Sequence, residues 1–221
     1  MKKVGIITAK GGSGKSTLAR HLAVAADQAD FSTVILDTDP QGTLRDWGEA
    51  RNKEPHVITE YGTNPDRIEQ AFKRIEAAGA DLLIVDTQGH SSPIPTNVAK
   101  LCDLVLVPMR PTPDDFRAIK GTVSMLQDRR VPHFVVLSQC PTNTPRPKAE
   151  AYSLLKKASI PAWMGAIHMK GIIPSSGISG ETVMELEGLT DAEAKSADEF
   201  RSLFTWMRRE LDMKALNPAI A

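Results

Sequence analysis

Cysteine is nearly missing from this 221-residue chain, which has two, Cys102 and Cys140. They lie far apart and form no Cys-x-x-Cys pair, so neither a disulfide framework nor a zinc site has support, and a reduced, cytoplasmic setting is expected. Excess charge is missing as well. Lys+Arg and Asp+Glu number 27 each, so no global field draws the protein to nucleic acid or lipid, and any such contact must use a local patch. No apolar run approaches the ~20 residues needed to span a bilayer, and the N-terminal VGIIT is too short for a signal-peptide core. Repeats, low-complexity tracts and linkers are also lacking. With 41% hydrophobic residues, the chain is expected to form one soluble domain over residues 1–221, those after about 214 being a tail.

What is present is a rhythm. The short apolar runs KVGIIT (3–8), STVILDT (32–38), DLLIVDT (81–87), DLVLVPM (103–109) and HFVVLSQ (133–139) alternate with helix-length segments. Runs that are apolar on both faces and spaced by helices predict an α/β fold, a doubly wound and mainly parallel sheet with helices on both sides. HVIT (56–59) reads as a further edge strand. Leu18, His21, Leu22 and Ala25 give the first helix an apolar face, and Ile68, Phe72, Ile75 and Ala78 do the same for a later one. CPTNTPRPK (140–148) reads as a loop after a strand.

The segment AKGGSGKST (9–17) follows the first run and opens the first helix. It departs from the usual phosphate-loop pattern, because Ala9 stands where a glycine is expected and a second lysine, Lys10, stands beside it. Gly11, Gly12, Ser13 and Gly14 let backbone N–H groups approach phosphate oxygens, and the helix N-terminus adds its positive end. Lys15 is placed to reach the β- and γ-phosphates, Ser16 to ligate Mg²⁺, and Thr17 to close the loop. Two other runs end in carboxylates on the same sheet edge. ILDTDPQG (35–42) supplies Asp37 and Asp39, and LLIVDTQG (82–89) supplies Asp86, expected to hold a metal-bound water. Gly89 is placed to offer its N–H to the γ-phosphate and to move when that phosphate leaves. His90 reads as an exposed loop residue or cap rather than a base. The remaining histidines lack ligand spacing, and no transition metal is expected.

Together KGGSGKST, DTDPQG and the run ending in Asp86 resemble the ParA/MinD family of deviant Walker ATPases. DTDPQGTLRDW, CDLVLVPMRPTPDDFRA and GISGETVME extend the likeness to small plasmid-partition ParA proteins without an N-terminal DNA-binding extension, so operator binding is not expected. The resemblance implies ATP and Mg²⁺ as cofactors and an ATP-dependent homodimer in which Lys10 reaches the partner's phosphates. It further implies that Asp39 orients the attacking water, that Asp37 joins Ser16 and Asp86 around Mg²⁺, and that hydrolysis is slow. Gln139 and Met169 would border the adenine. TQGHSS after Asp86 departs from the proline-containing turn of many partition relatives. The implied partners are non-specific DNA, which would make the ATP form nucleoid-associated, and a centromere-binding or cargo adaptor protein that stimulates hydrolysis.

The C-terminal segment DEFRSLFTWMRRELDMKAL (198–216) lines up Phe200, Leu203, Phe204, Met207 and Leu211. It reads as a helix packed on the sheet. A membrane reading is weakened by Asp198, Glu199, Glu210 and Asp212, which dilute the basic face. As a third reading, Arg208 and Arg209 join Lys156, Lys157 and Lys170 in a composite DNA patch that a dimer would double. The alternative function is a MinD-like or cargo-positioning ATPase acting on membrane or protein partners without DNA. A metallocluster ATPase would need cysteines near the dimer seam, whereas Cys102 reads as core.

Overall fold

The computed structural model describes residues 1–61, 64–89 and 94–214, so His90 lies outside the described residues. Seven strands form one sheet: β1 (Lys2–Ile6), β2 (Thr33–Asp37), β3 (His56–Thr59), β4 (Leu82–Asp86), β5 (Leu104–Met109), β6 (His133–Cys140) and β7 (Ala162–His168). Their order is β3-β2-β4-β1-β5-β6-β7 and every pairing is parallel. The helices are α1 (Lys15–Asp27), α2 (Thr43–Arg51), α3 (Pro65–Ala77), α4 (Ile94–Leu101), α5 (Pro113–Asp128), α6 (Arg146–Lys157), α7 (Ile172–Ser175) and α8 (Asp191–Glu210).

Alternation along the buried strands builds two cores. Leu82 and Ile84 face the layer of α1, α2 and α8, whereas Leu83 and Val85 face that of α3, α4, α5 and α6. This is why β4 and β5 read as unbroken apolar runs: parallel strands covered on both sides have no polar face. The five expected strands and the edge strand β3 form. β7 was not legible, because exposed Met164 and Gly165 interrupt AWMGAIH, as suits an edge strand that pairs irregularly with β6. Ala78 does not belong to the apolar face of α3; it is the exposed C-cap, and Ala71 fills that face instead.

The C-terminal stripe is core. Phe200, Leu203, Phe204, Met207 and Leu211 are all buried, each worth roughly 1.5–3 kcal/mol of apolar burial. α8 starts at a capping box in which Thr190 and Glu193 satisfy each other's backbone N–H groups. The membrane reading of this helix therefore falls: the apolar face that would enter lipid is already packed against the sheet. Among the described residues no helix is long and apolar enough to cross a membrane.

His21 of α1 is fully buried, stacked on Phe200 with ring centroids 3.9 Å apart, and its Nδ1 lies 2.8 Å from the Thr17 carbonyl. Burial, reinforced by neighbouring Arg20, lowers its pKa to about 3. The unfolded chain thus binds a proton that the folded chain refuses between about pH 6.5 and pH 3, so this group's stability is intact above that window and lost on acidification. Going from pH 7 to about pH 5.5 should remove about 1 kcal/mol through His21 alone. Thermal denaturation of wild type and His21→Phe checks this: the melting point of the variant should fall less over that interval.

β1 sits between β4 and β5, so the chain winds away from it in both directions. Crevices form beyond the carboxyl ends of strands at such a reversal, and the loop after β1 opens into this one.

Candidate nucleotide site

Residues 9–14 form the turn from β1 into α1. Gly12 (φ +70°) and Gly14 (φ +92°) adopt left-handed conformations that side chains resist, and Gly14 is the N-cap of α1. The free N–H groups of the α1 N-terminus therefore face the crevice. Ser138 Oγ donates to the Ser13 carbonyl at 2.7 Å and Gln139 Nε2 to the Gly12 carbonyl at 2.7 Å, so the end of β6 braces the loop. Gln139 itself has φ +51°.

Sheet register assembles the carboxylates. Asp37 pairs with Asp86 across β2 and β4, and Ile6 pairs with Asp86 across β1 and β4. Thr38 Oγ1 donates to the Asp86 carbonyl at 2.8 Å and Thr87 Oγ1 to the Ile6 carbonyl at 3.1 Å, tying the three strand ends together. Asp86 Oδ2 accepts from Ser16 Oγ at 2.5 Å, while Oδ1 is buried with no partner among the described residues. Burial pushes the Asp86 carboxyl up to about 7; Asp37 and Asp39 add to the rise, and Ser16 and Lys15 oppose it. Asp37 spends its oxygens on backbone: Oδ1 accepts from Asp39 N–H at 2.9 Å and Oδ2 from Arg45 N–H at 3.2 Å, at the start of α2. Asp39 Oδ1 accepts from Gln41 N–H at 3.0 Å and its side chain reaches the cleft.

A hydroxyl beside an unpartnered carboxylate oxygen suits a hard cation, and Mg²⁺ is commonly held by one or two such groups plus phosphates and water. Ser16 and Asp86 fit that donor set. No cluster of three or more His, Cys, Asp or Glu able to hold a metal occurs among the described residues.

The crevice has two parts. One, of about 490 Å³, is lined by loop residues Gly11, Gly12 and Gly14 to Thr17 together with Asp39, Gln41, Thr43, Gln88 and Gly89. A Cβ on Gly89 would stand 3.3 Å from Lys15 Nζ, which shows how closely the two loops approach. The other, of about 290 Å³, is walled by Leu18, Ile167, Met169, Ile173 and Pro174, with His168, whose Nδ1 lies 2.7 Å from Glu199 Oε1. Gly14, Thr17 and Gln139 border both. A polar pocket continuous with an apolar one matches a phosphate chain joined to a base.

The two lysines part company. Lys15 is buried and lines the polar pocket. Lys10 does not line it; its Nζ lies 3.4 Å from Asp115 Oδ1, and Asp115 also receives a bidentate pair from Arg110 at 2.8 and 3.1 Å. Burial would raise the Asp115 carboxyl, but Arg110 and Lys10 outweigh it and hold it below the usual range. Asp115 escaped sequence reasoning because an aspartate in PTPDD, opening a helix, is indistinguishable from an ordinary first-turn acid.

The structure does not gather the basic residues into one patch. Lys156 and Lys157 end α6 in one layer, and Arg208 and Arg209 end α8 in the other. Both pairs lie toward the amino ends of the strands, opposite the crevice. Lys170 lies at the crevice edge, where its Nζ donates to the Ala192 carbonyl. The sheet stands between positions that the linear sequence could not separate.

Residues 4–183 match the CobQ/CobB/MinD/ParA nucleotide binding domain family. The chain belongs to this family. Two relatives are each 27% identical to it. One is maintenance of carboxysome distribution protein A from Gloeobacter kilaueensis, over 195 residues, 87% of this chain and 88% of that one. The other is Protein ParA from Rhizobium radiobacter, over 166 residues, 72% and 73%. The septum site-determining protein MinD of Pyrococcus horikoshii, solved with Mg-ADP, shares the fold at TM-score 0.77 and 12% identity, over 98% of this chain and 99% of that one. Membership in this family makes residues 4–183 a nucleotide binding domain.

Proposed function

We propose that this protein is an ATP-dependent dimerising switch of the ParA type, whose ATP-bound dimer binds DNA non-specifically and positions a cargo by slow hydrolysis. ATP and Mg²⁺ are its cofactors. The observation that carries the reading is the placement of Lys10: it leaves its own phosphate pocket to Lys15 and sits at the rim, held by Asp115, where a second copy's phosphates can claim it. A cation delivered to the γ-phosphate only in the dimer makes hydrolysis contingent on dimerisation.

The roles follow from position. Loop N–H groups from Gly11 to Thr17 and Lys15 bind phosphate oxygens, and Gly89 offers its N–H to the γ-phosphate. Leu18, Ile167, Met169 and Ile173 take the base, with Gln139 bracing the junction. Asp39 aligns the attacking water. Ser16 and Asp86 would hold Mg²⁺, with Asp37 fixing the Asp39 turn beside them; the ion, when bound, neutralises charge that builds on the phosphates.

Non-specific DNA binding rests on Lys156, Lys157, Arg208 and Arg209, four cations toward one edge, doubled in a dimer, with Lys170 apart from them. Their division between two layers and the zero net charge favour a second reading, a cargo-positioning ATPase that engages protein partners alone. Fluorescence anisotropy with unrelated duplexes, ATP or ADP, and several salt concentrations decides between them. DNA binding should require ATP, ignore sequence, and weaken with salt at a logarithmic slope of about 0.9 per neutralised phosphate. Arg208→Ala with Arg209→Ala should flatten that slope by about two units per protomer, about four for the dimer. A dimer that forms with ATP yet binds no duplex establishes the partner-only reading, and ATP-dependent capture by anionic vesicles in place of DNA supports a membrane partner.

A further inference from the structure

Arg20 carries a charge that stability does not explain. It lies on α1, 8% exposed, and has no carboxylate partner among the described residues. Its Nη2 donates to the Ile173 carbonyl at 2.9 Å, and its Nε is buried without a partner. Burial lowers its pKa to about 10, so the guanidinium stays protonated at neutral pH. An unpaired buried cation is destabilising relative to an apolar side chain of similar size, so its retention calls for a positional reason.

Its one acceptor among the described residues supplies that reason. Ile173 and Pro174 wall the apolar part of the crevice, and both belong to α7, which even with the 3-10 turn Ser176–Ser179 that follows it is too short to hold its own conformation. Ile173 must be anchored from outside the turn. Its carbonyl receives Ser176 Oγ at 2.9 Å from the same segment and Arg20 from across the fold. Arg20 stands on the helix that carries Thr17 and Leu18 into the crevice, so one rigid element fixes the base wall relative to the phosphate loop. Gly177 makes room for it: a Cβ there would stand 1.9 Å from Arg20 Nη1 and 2.7 Å from its Cζ.

We infer that Arg20, admitted by Gly177, is a positioning residue that holds the α7 wall and thereby sets the affinity for the nucleobase while leaving the phosphates untouched. This rests on the nucleotide reading of the crevice. Two ligands separate base from phosphate recognition: ATP, and inorganic tripolyphosphate, which has no base, each with Mg²⁺ and each measured by calorimetry.

Arg20→Met should weaken ATP binding by about 10- to 100-fold, the range expected for one lost hydrogen bond from a charged donor, with tripolyphosphate binding unchanged. Arg20→Lys, which keeps a donor, should recover part of the loss. Gly177→Ala should reproduce the Arg20→Met effect by displacing the guanidinium, and the double variant should be no weaker than Arg20→Met alone, because the two residues act as one unit. Equal loss for both ligands, or additive losses in the double variant, would overturn the proposal. Should Arg20→Met fail to fold, Gly177→Ala decides it, and undiminished ATP affinity there is equally fatal. A wild-type protein that binds neither ligand would bring down the nucleotide reading first and this proposal with it.

Discussion

Lys15→Ala should lower ATP affinity about a thousandfold, while Lys10→Ala should bind ATP within about twofold of wild type and lose about a thousandfold in hydrolysis. The asymmetry comes from where the two ammonium groups sit. Lys15 is buried in the polar pocket beside Gly89, so its removal leaves phosphate charge unmatched in a poorly solvated place. Lys10 makes its side-chain ion pair with Asp115 at the rim, and its carbonyl, which accepts from Ser13 Oγ at 3.2 Å and Lys15 Nζ at 3.5 Å, is kept by alanine, so within one copy the phosphate pocket loses nothing. Equilibrium binding of labelled ATP, read beside gel filtration with and without ATP, separates the two. Lys10→Ala should stay monomeric with ATP bound. Similar affinity losses in both variants would end the division of labour between the lysines and, with it, the argument for a partner's active site.

Asp39→Ala should slow hydrolysis by about a hundredfold to ten-thousandfold, the range for removing a positioned acid-base group, without loss of ATP binding. Asp39 uses Oδ1 on the Gln41 N–H, which fixes its direction, and Oδ2 has no protein partner among the described residues and can accept a water proton. Ser16, Asp86 and the phosphate loop are untouched by the substitution, so the ATP-bound dimer should form and then persist. Gel filtration should show that dimer accumulating for hours where wild type cycles back. Asp39→Asn separates charge from shape: it keeps an oxygen acceptor but not the negative charge, and it should be nearly as slow. Normal turnover in Asp39→Ala would move the water-orienting role to another group of the cleft, with Gln41 and Gln88 candidates on its lining.

Trapping the dimer also sharpens the DNA experiment, since a protein held in the ATP state isolates duplex binding from turnover. The basic ends of α6 and α8 and the crevice lie at opposite ends of the strands, so a duplex on those basic ends would not compete with a second copy at the crevice.

Much of this protein was settled by its sequence alone. Apolar runs without a polar face can be stable only when covered on both sides, so DLLIVDT and DLVLVPM dictated a two-layered α/β sheet. The turn that we propose as the phosphate loop was equally legible, because glycines at Gly12 and Gly14, a lysine and a hydroxyl in a fixed run are local chemistry, and the strand before them and the helix after are where that run needs them. β7 was not, since an edge strand with Gly165 and exposed Met164 carries little of the apolar signal. Contacts between distant segments were decided by tertiary structure. Asp37 and Asp86 became neighbours through sheet register, and Lys10 found Asp115 because β5 lies beside β1. Arg20 met Ile173 and Gly177 across more than 150 positions of chain. Basic residues that looked like one patch were divided by the sheet between them. Sequence specifies what each segment can do locally; which segments meet depends on how the burial of both faces is satisfied at once, and that is a property of the whole fold.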